Sequence, residues 1–216
     1  MDAVFFPTKT LFQQFSANRS LAGKYLSWGF ATRTLPTSWT ADDNRPVVFF
    51  TQAISPRTLN SRRFVAESLF AIARRYSPRR VVVKLRHMPG ENADHVHKER
   101  FAYGDLLQGA PENLMFKAGY IVDALKDAGV TLTCTSTALL DSLAAGVPGA
   151  AYTKYLGNYR HPLTRPMQAF LDGSGLDLPL EDWLRLRVPL PNEDWLRRTL
   201  RGTDVIDELV TLIESA

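Results

Sequence analysis

The chain is 216 residues long, enough for one sizeable core or for one domain with an additional lobe. Its apolar fraction of 45% and charged fraction of 22% are ordinary globular usage, which excludes wholesale disorder, and no apolar run is long enough for a membrane span. The formal charge of +4 suits an anionic ligand and leaves room for peripheral contact with an acidic membrane, while the single cysteine, Cys134, excludes an internal disulfide framework and a multi-thiolate metal site.

The segment Met1 to Pro7 has no basic leader and only a short apolar patch, so the reading is a cytoplasmic protein. A strand–helix unit is expected over Val4 to Phe15, followed by irregular sequence to residue 45. Pro46 to Thr51 is a short apolar, β-prone run and predicts a buried strand. Val65, Leu69, Ile72 and Tyr76 then recur at helical spacing until Pro78 stops the helix. Arg62-Arg63, Arg74-Arg75 and Arg79-Arg80 lie near the ends of that helix and read as a solvated coat, so no nucleic-acid partner is expected.

Val81 to Leu85 predicts a second buried strand, residues 91–109 are polar and helix-compatible, and Leu114 to Phe116 predicts a short third strand. Ile121, Val122 and Leu125 predict a helix stripe closed by Gly129 at the C′ position. Val130 to Cys134 reads as a strand, with Cys134 a packed and inert thiol. Thr135-Ser136-Thr137 supplies N-cap hydroxyls for a helix that turns Leu139, Leu140 and Leu143 inward and ends at Gly146. Gly149 to Tyr155 predicts a last strand. Residues 156–191, rich in proline and glycine, are expected to wrap the surface, with Trp183 and Trp195 packing the C-terminal region onto the core. Asn192 caps a helix holding Trp195 and Leu196, and Thr203 or Asp204 caps a final one with Val205, Ile206, Leu209 and Ile213. Strands separated by helix-length segments imply a Rossmann-like, doubly wound parallel α/β sheet with a helical C-terminal extension, over residues 46–216.

In such a sheet ligands bind beyond the carboxyl ends of the strands. Three polar loops fall there: Thr51 to Arg57, Lys84 to Glu91 and Thr135 to Thr137. A helix that opens with hydroxyl residues offers backbone N–H groups and side-chain donors to a phosphate, and Lys84, Arg86 and His87 add cationic donors. Asp94, His95, His97 and Glu99 lack a convincing third metal ligand and read as a polar helix start. No nucleophile elbow, Gly-x-Gly-x-x-Gly or Walker sequence is present, which counts against serine hydrolases, dinucleotide dehydrogenases and P-loop NTPases.

Val130 to Pro148, with Ser136-Thr137 opening a helix that runs through Asp141 to Ala144-Ala145-Gly146-Val147-Pro148, resembles the C-terminal, donor-binding domain of GT-B glycosyltransferases. Val83-Lys84-Leu85-Arg86-His87, followed by Pro89, is similar to the histidine–proline motif of bacterial sialyltransferases and polysialyltransferases of that fold, with Met88 interposed. The likeness covers residues 46–155. It implies a nucleotide-sugar donor linked to CMP, UDP or GDP, and a glycan or other hydroxyl acceptor. Lys84, Ser136, Thr137 and Asp141 would hold the donor, with Gln52 and Ser55 lining the pocket. His87 and Arg86 would stabilise the leaving phosphate, without a metal or other cofactor, and the backbone around Phe116 and Lys117 would recognise the base. Thr133 stands where the family carries its second acidic residue, so the paired-carboxylate pattern of retaining enzymes is absent. Asp2 to Thr8 resembles the closing strand of a GT-B N-terminal domain, which makes residues 1–45 a linker and remnant of the acceptor-binding half. The residues taken alone also admit a non-catalytic Rossmann-like module that binds an anionic regulator.

Overall fold

The computed structural model describes residues 3–6, 24–27, 30–31, 36, 38–53, 55–86, 100–156, 164–201, 210–211 and 214. In chain order the strands are β1 (Ala3–Phe6), β2 (Lys24–Ser27), β3 (Phe30–Ala31), β4 (Val47–Phe50), β5 (Val81–Lys84), β6 (Leu114–Lys117), β7 (Val130–Thr133), β8 (Gly149–Ala151) and β9 (Leu200–Arg201). The helices are α1 (Leu59–Arg75), α2 (Tyr103–Leu106), α3 (Ile121–Lys126), α4 (Ala138–Ala144), α5 (Thr164–Leu171), α6 (Leu180–Leu184) and α7 (Glu193–Thr199).

Strands β4 to β8 form one five-stranded sheet in the order β6-β5-β4-β7-β8, and every pairing is parallel. Every residue of β4, β5 and β7 is buried, which is why these strands read as unbroken apolar or β-branched runs and not as alternating ones. Val47, Phe49, Val81 and Val83 pack on one face against Val65, Leu69 and Ile72 of α1. On the other face Val48, Phe50 and Val82 meet Ala124 and Leu125 of α3, Ala138 of α4 and Val147. The sheet is therefore doubly wound and Rossmann-like, as its sequence pattern predicts. The chain steps outward from β4 to β5 and β6, then crosses to β7 and β8, so the strand order reverses between β4 and β7.

Several local expectations are corrected. Only Ala124 and Leu125 of α3 are buried, whereas Ile121 and Val122 face solvent. Gly129 does not take the left-handed C′ conformation: α3 ends at Lys126, and positive φ occurs instead at Gly119 and Gly146. Gly129 is needed for space. A Cβ there would sit 2.1 Å from the Asp42 carbonyl oxygen, because the loop before β4 crosses it. Gly129→Ala is expected to lower stability by about 1–3 kcal/mol, as overpacking against backbone does, measured by urea denaturation.

The last sheet strand stops at Ala151, short of Tyr155, and residues 152–156 turn through a short 3-10 helix. The expected surface wrap is also more deeply embedded. Residues 176–178 return beside β8, with Ala151 N–H donating to Leu176 O and Leu178 N–H to Ala151 O. Trp183 reaches the middle of the core at 1% exposure. Leu176, Trp195, Phe170 and Leu200 build a further cluster over Leu139, Leu140 and Leu143 of α4. Asn192 caps α7 as expected, accepting from Trp195 N–H at 3.0 Å.

In the N-terminal region β1 pairs with β2, and β3 pairs with β9, both in parallel. The helix expected up to Phe15 and the cap at Thr203 or Asp204 lie outside the described residues. Trp39 Nε1 donates to Leu143 O at 2.8 Å, and Arg79 donates to Asp42 O and Arg45 O, so residues 39–45 are pinned to the amino-terminal side of the sheet. Among the described residues no helix is long and apolar enough to cross a membrane.

Candidate functional site

The strand order reverses between the paired strands β4 and β7, and in open parallel sheets ligands bind at the carboxyl ends of the strands at such a point. The loops that follow the two strands are tied together there. Gln52 Nε2 donates to Thr135 O at 3.0 Å, and Thr135 Oγ1 donates to Gln52 Oε1. Thr135 Oγ1 also lies 2.9 Å from Ser55 Oγ, which is 2.5 Å from the Tyr155 hydroxyl. One hydroxyl proton cannot serve two acceptors, so the chain is satisfied when Tyr155 donates to Ser55, Ser55 to Thr135 and Thr135 to Gln52. Ser55 is 1% exposed, so it belongs to the buried network that supports this loop. Gln52 is half-buried.

Arg62 organises the same loop from below. Its sequence position in an Arg-Arg pair suggests solvent, yet it is 1% exposed. Its guanidinium donates to Pro56 O at 2.8 Å, to Gln52 O and Phe101 O at 2.9 Å each, and to Ala53 O. It also lies over the Tyr103 ring, 5.0 Å from the centroid. The planar fork thus fixes the backbone that carries Gln52 and Ser55, and joins it to residues 101–103.

At the start of α4 the capping pattern differs from expectation. Thr137 occupies the N-cap position with helical backbone angles and makes no side-chain cap bond. Ser136 Oγ accepts from Ala138 N–H at 3.2 Å, while Thr133 Oγ1 accepts from Ser136 N–H at 3.1 Å. Thr137 is exposed and Ser136 half-buried at the carboxyl edge of the sheet.

The ends of β5 and β6 carry the cations. Lys84 is buried, and its Nζ donates to Leu85 O at 2.7 Å. Burial, reinforced by Lys117 opposite it in register, holds the Lys84 ammonium below its usual pKa. Arg86 and Lys117 are exposed. The Phe116 ring packs on the main core, and the Lys117 carbonyl is occupied by Leu85 N–H at 2.9 Å. Beyond it Tyr120 is 81% exposed. His87 lies outside the described residues, as do Asp94, His95, His97 and Glu99. Among the described residues no three His, Cys, Asp or Glu side chains gather as metal ligands would.

Asp141 points elsewhere. It lines a cavity of about 1010 Å³ between α3, α4 and the loop before β4, together with Thr40, Arg45, Leu125 and Val147. Partial burial raises its carboxyl above the usual range.

Residues whose contacts the sequence did not show include Thr135, Tyr155, Arg62 and Asp177. Asp177, beside the carboxyl end of β8, accepts from Thr153 N–H at 3.0 Å and from the Thr153 hydroxyl at 2.7 Å. Burial, then Cys134 and Asp177, raise the Tyr152 pKa, and burial raises the Cys134 thiol far out of reach of neutral pH. None of these residues forms a local motif, because their partners are distant in sequence; Ser55 and Tyr155 are 100 residues apart.

A family model described as "Putative glycosyltransferase (DUF6716)" matches residues 9–215. No curated protein matches the sequence. A solved structure of a putative UDP-N-acetylglucosamine 2-epimerase from Listeria monocytogenes is similar to this chain with a TM-score of 0.52 at 12% identity, covering 96% of this chain and 51% of that one. The apo structure of Phytolacca americana UGT2 gives a TM-score of 0.40 at 14% identity, covering 96% and 49%. The chain therefore spans about half the length of these solved structures. The first likeness shows the Rossmann-like α/β fold.

Proposed function

We infer, since this chain belongs to the putative glycosyltransferase family DUF6716, that it is the donor-binding half of a GT-B-type, sugar-nucleotide-dependent glycosyltransferase. The observation that carries the reading is the reversal of strand order between β4 and β7, where the loops after these strands are locked together by Gln52 and Thr135. In open parallel sheets a nucleotide lies across this edge with its phosphates toward the start of the following helix, here α4. Ser136 and Thr137 supply hydroxyl donors there, and Arg86, two residues beyond β5, supplies positive charge.

The chemistry is transfer of a glycosyl group from a nucleotide leaving group to an acceptor hydroxyl. As the glycosidic bond breaks, negative charge grows on the leaving phosphate. Donors already fixed in place stabilise that charge without reorganising. The network from Tyr155 to Gln52 and the Arg62 fork hold the β4 loop rigid, which is what such preorganisation requires. The acceptor hydroxyl needs a general base. Asp177 is poorly placed for that role, because both of its oxygens accept from Thr153. The base and the acceptor site are assigned to a second, acceptor-binding unit.

Calorimetric titration with CMP, UDP, GDP and their sugars tests the reading. One nucleotide is expected to bind, and Ser136→Ala/Thr137→Ala is expected to weaken it about 10- to 100-fold, the worth of one or two hydrogen bonds to a charged group. Equal affinity in the double variant, or no binding to any member of the panel, contradicts it. Binding without turnover when the acceptor-binding unit is supplied would favour a regulatory module.

A further inference from the structure

Gln52 and Thr135 lie 83 residues apart in sequence and meet through two hydrogen bonds. Thr135 O can only accept, so the nitrogen of the Gln52 amide faces it, at 3.0 Å, and the Thr135 hydroxyl donates to Gln52 Oε1. Both bonds go to one residue, so they use the edge of the planar amide where Oε1 and one Nε2 hydrogen lie side by side. The second Nε2 hydrogen is directed away from that edge. Gln52 is half-buried, while Thr135 is 6% exposed.

This clamp is braced from both ends. Ser55 Oγ lies 2.9 Å from Thr135 Oγ1, with the Tyr155 hydroxyl 2.5 Å behind it. The main-chain carbonyl of Gln52 accepts from the Arg62 guanidinium at 2.9 Å. Gln52 is thus held at its backbone and at the far end of its side chain. Ordering a glutamine costs much of its rotamer freedom, and joining neighbouring loops does not require it: Tyr152 N–H to Thr133 O does so with backbone alone. An amide fixed in advance at a strand end suits recognition of a ligand, because its ordering is complete before the ligand arrives.

We propose that Gln52 presents its second N–H to an acceptor oxygen of the bound nucleotide sugar, and that Thr135 is the positioning residue that sets the orientation of the amide. Gln52 thereby selects as a donor: it favours a phosphoryl or hydroxyl oxygen and disfavours an amino group at the same point. The inference rests on the reading of this edge as the donor site.

Calorimetric titration with UDP, GDP, CMP and their sugars tests it in the wild type, Gln52→Met, Thr135→Val, Thr135→Ser and the Gln52→Met/Thr135→Val double variant. Valine keeps the shape of threonine without the hydroxyl, and serine keeps the hydroxyl. Gln52→Met is expected to weaken binding about 5- to 20-fold and Thr135→Val about 3- to 10-fold, with Thr135→Ser within about twofold of the wild type. The double variant is expected to bind no more weakly than Gln52→Met, because Thr135 acts through the amide that this variant lacks. Fully additive losses, or Thr135→Ser as weak as Thr135→Val, overturn the positioning role. A loss in Gln52→Met shared by the free nucleotide and its sugar puts the acceptor oxygen on the nucleotide; a loss confined to the sugar nucleotide puts it on the sugar.

Hydrogen exchange of the Gln52 side-chain amide, followed by NMR, reads the clamp without ligand. The hydrogen on Thr135 O is expected to exchange at least about fivefold faster in Thr135→Val than in the wild type or Thr135→Ser. Equal exchange in all three overturns the positioning role. Gln52 is half-buried, so its variant keeps the test open should Thr135→Val fail to fold. Nucleotide binding unchanged in Gln52→Met sinks this inference and leaves the donor reading intact. A wild type that binds no member of the panel sinks the donor reading and the Gln52 contact with it.

Discussion

Arg62→Ala is expected to destabilise the protein by about 3–5 kcal/mol, the range found when one partner of a buried charged contact is removed. The guanidinium donates to carbonyls of Gln52, Ala53, Pro56 and Phe101 while only 1% exposed. Each carbonyl left without a donor in a buried place costs about 1–3 kcal/mol, and partial entry of water relieves some of that. Loss of the contact with the Tyr103 ring adds to the effect. Arg62→Lys keeps the charge but not the fork, so it is expected to recover less than half of the loss. Urea denaturation measures both variants. A loss below about 1 kcal/mol for Arg62→Ala would mean that the loop after β4 is held by something else. The same variant is expected to weaken nucleotide binding, because the loop it releases carries Gln52 and Ser55.

Trp183→Ala is expected to cost a similar about 3–5 kcal/mol through the cavity it leaves. The indole packs edge-on to Phe49 of β4, with centroids 6.1 Å apart, and lies 6.0 Å from Tyr152. It is the contact by which α6 closes one face of the sheet. The Tyr76 hydroxyl, at the end of α1, also tethers that turn by donating to Arg185 O at 2.6 Å. Trp183→Phe is expected to cost less than half as much, since the aromatic edge contact survives in part. Thermal and urea unfolding of both variants check the order. An alanine variant as stable as the phenylalanine variant would show that the core closes over the gap.

The parallel sheet was legible because burial on both faces leaves a plain mark on a strand. Val47 to Phe50, Val81 to Val83 and Val130 to Leu132 carry almost no polar side chains for that reason. The cap at Asn192 and the left-handed Gly146 were legible because they obey local rules. Arg62 was not, since an Arg-Arg pair is chemically the same whether it meets water or four carbonyls, and only the tertiary fold decides. Ile121 and Val122 have the spacing of a buried stripe, but α3 is six residues long and turns only its following residues inward. Strands β2, β3 and β9 are two to four residues long and exist through pairing with distant segments, so they leave no periodic signal. Of the candidate site, Gln52, Ser55, Ser136 and Thr137 converge on the two loops at the strand-order reversal, whereas Asp141 lines the cavity behind α4.

A crystal structure of the protein with bound UDP therefore tests the central claim most directly. The nucleotide is expected across the carboxyl ends of β7, β4, β5 and β6, with its phosphates within hydrogen-bond reach of Ser136, Thr137 or Lys117. Nucleotide density in the cavity lined by Asp141, Arg45 and Leu125, with the strand ends empty, would contradict the donor-site assignment.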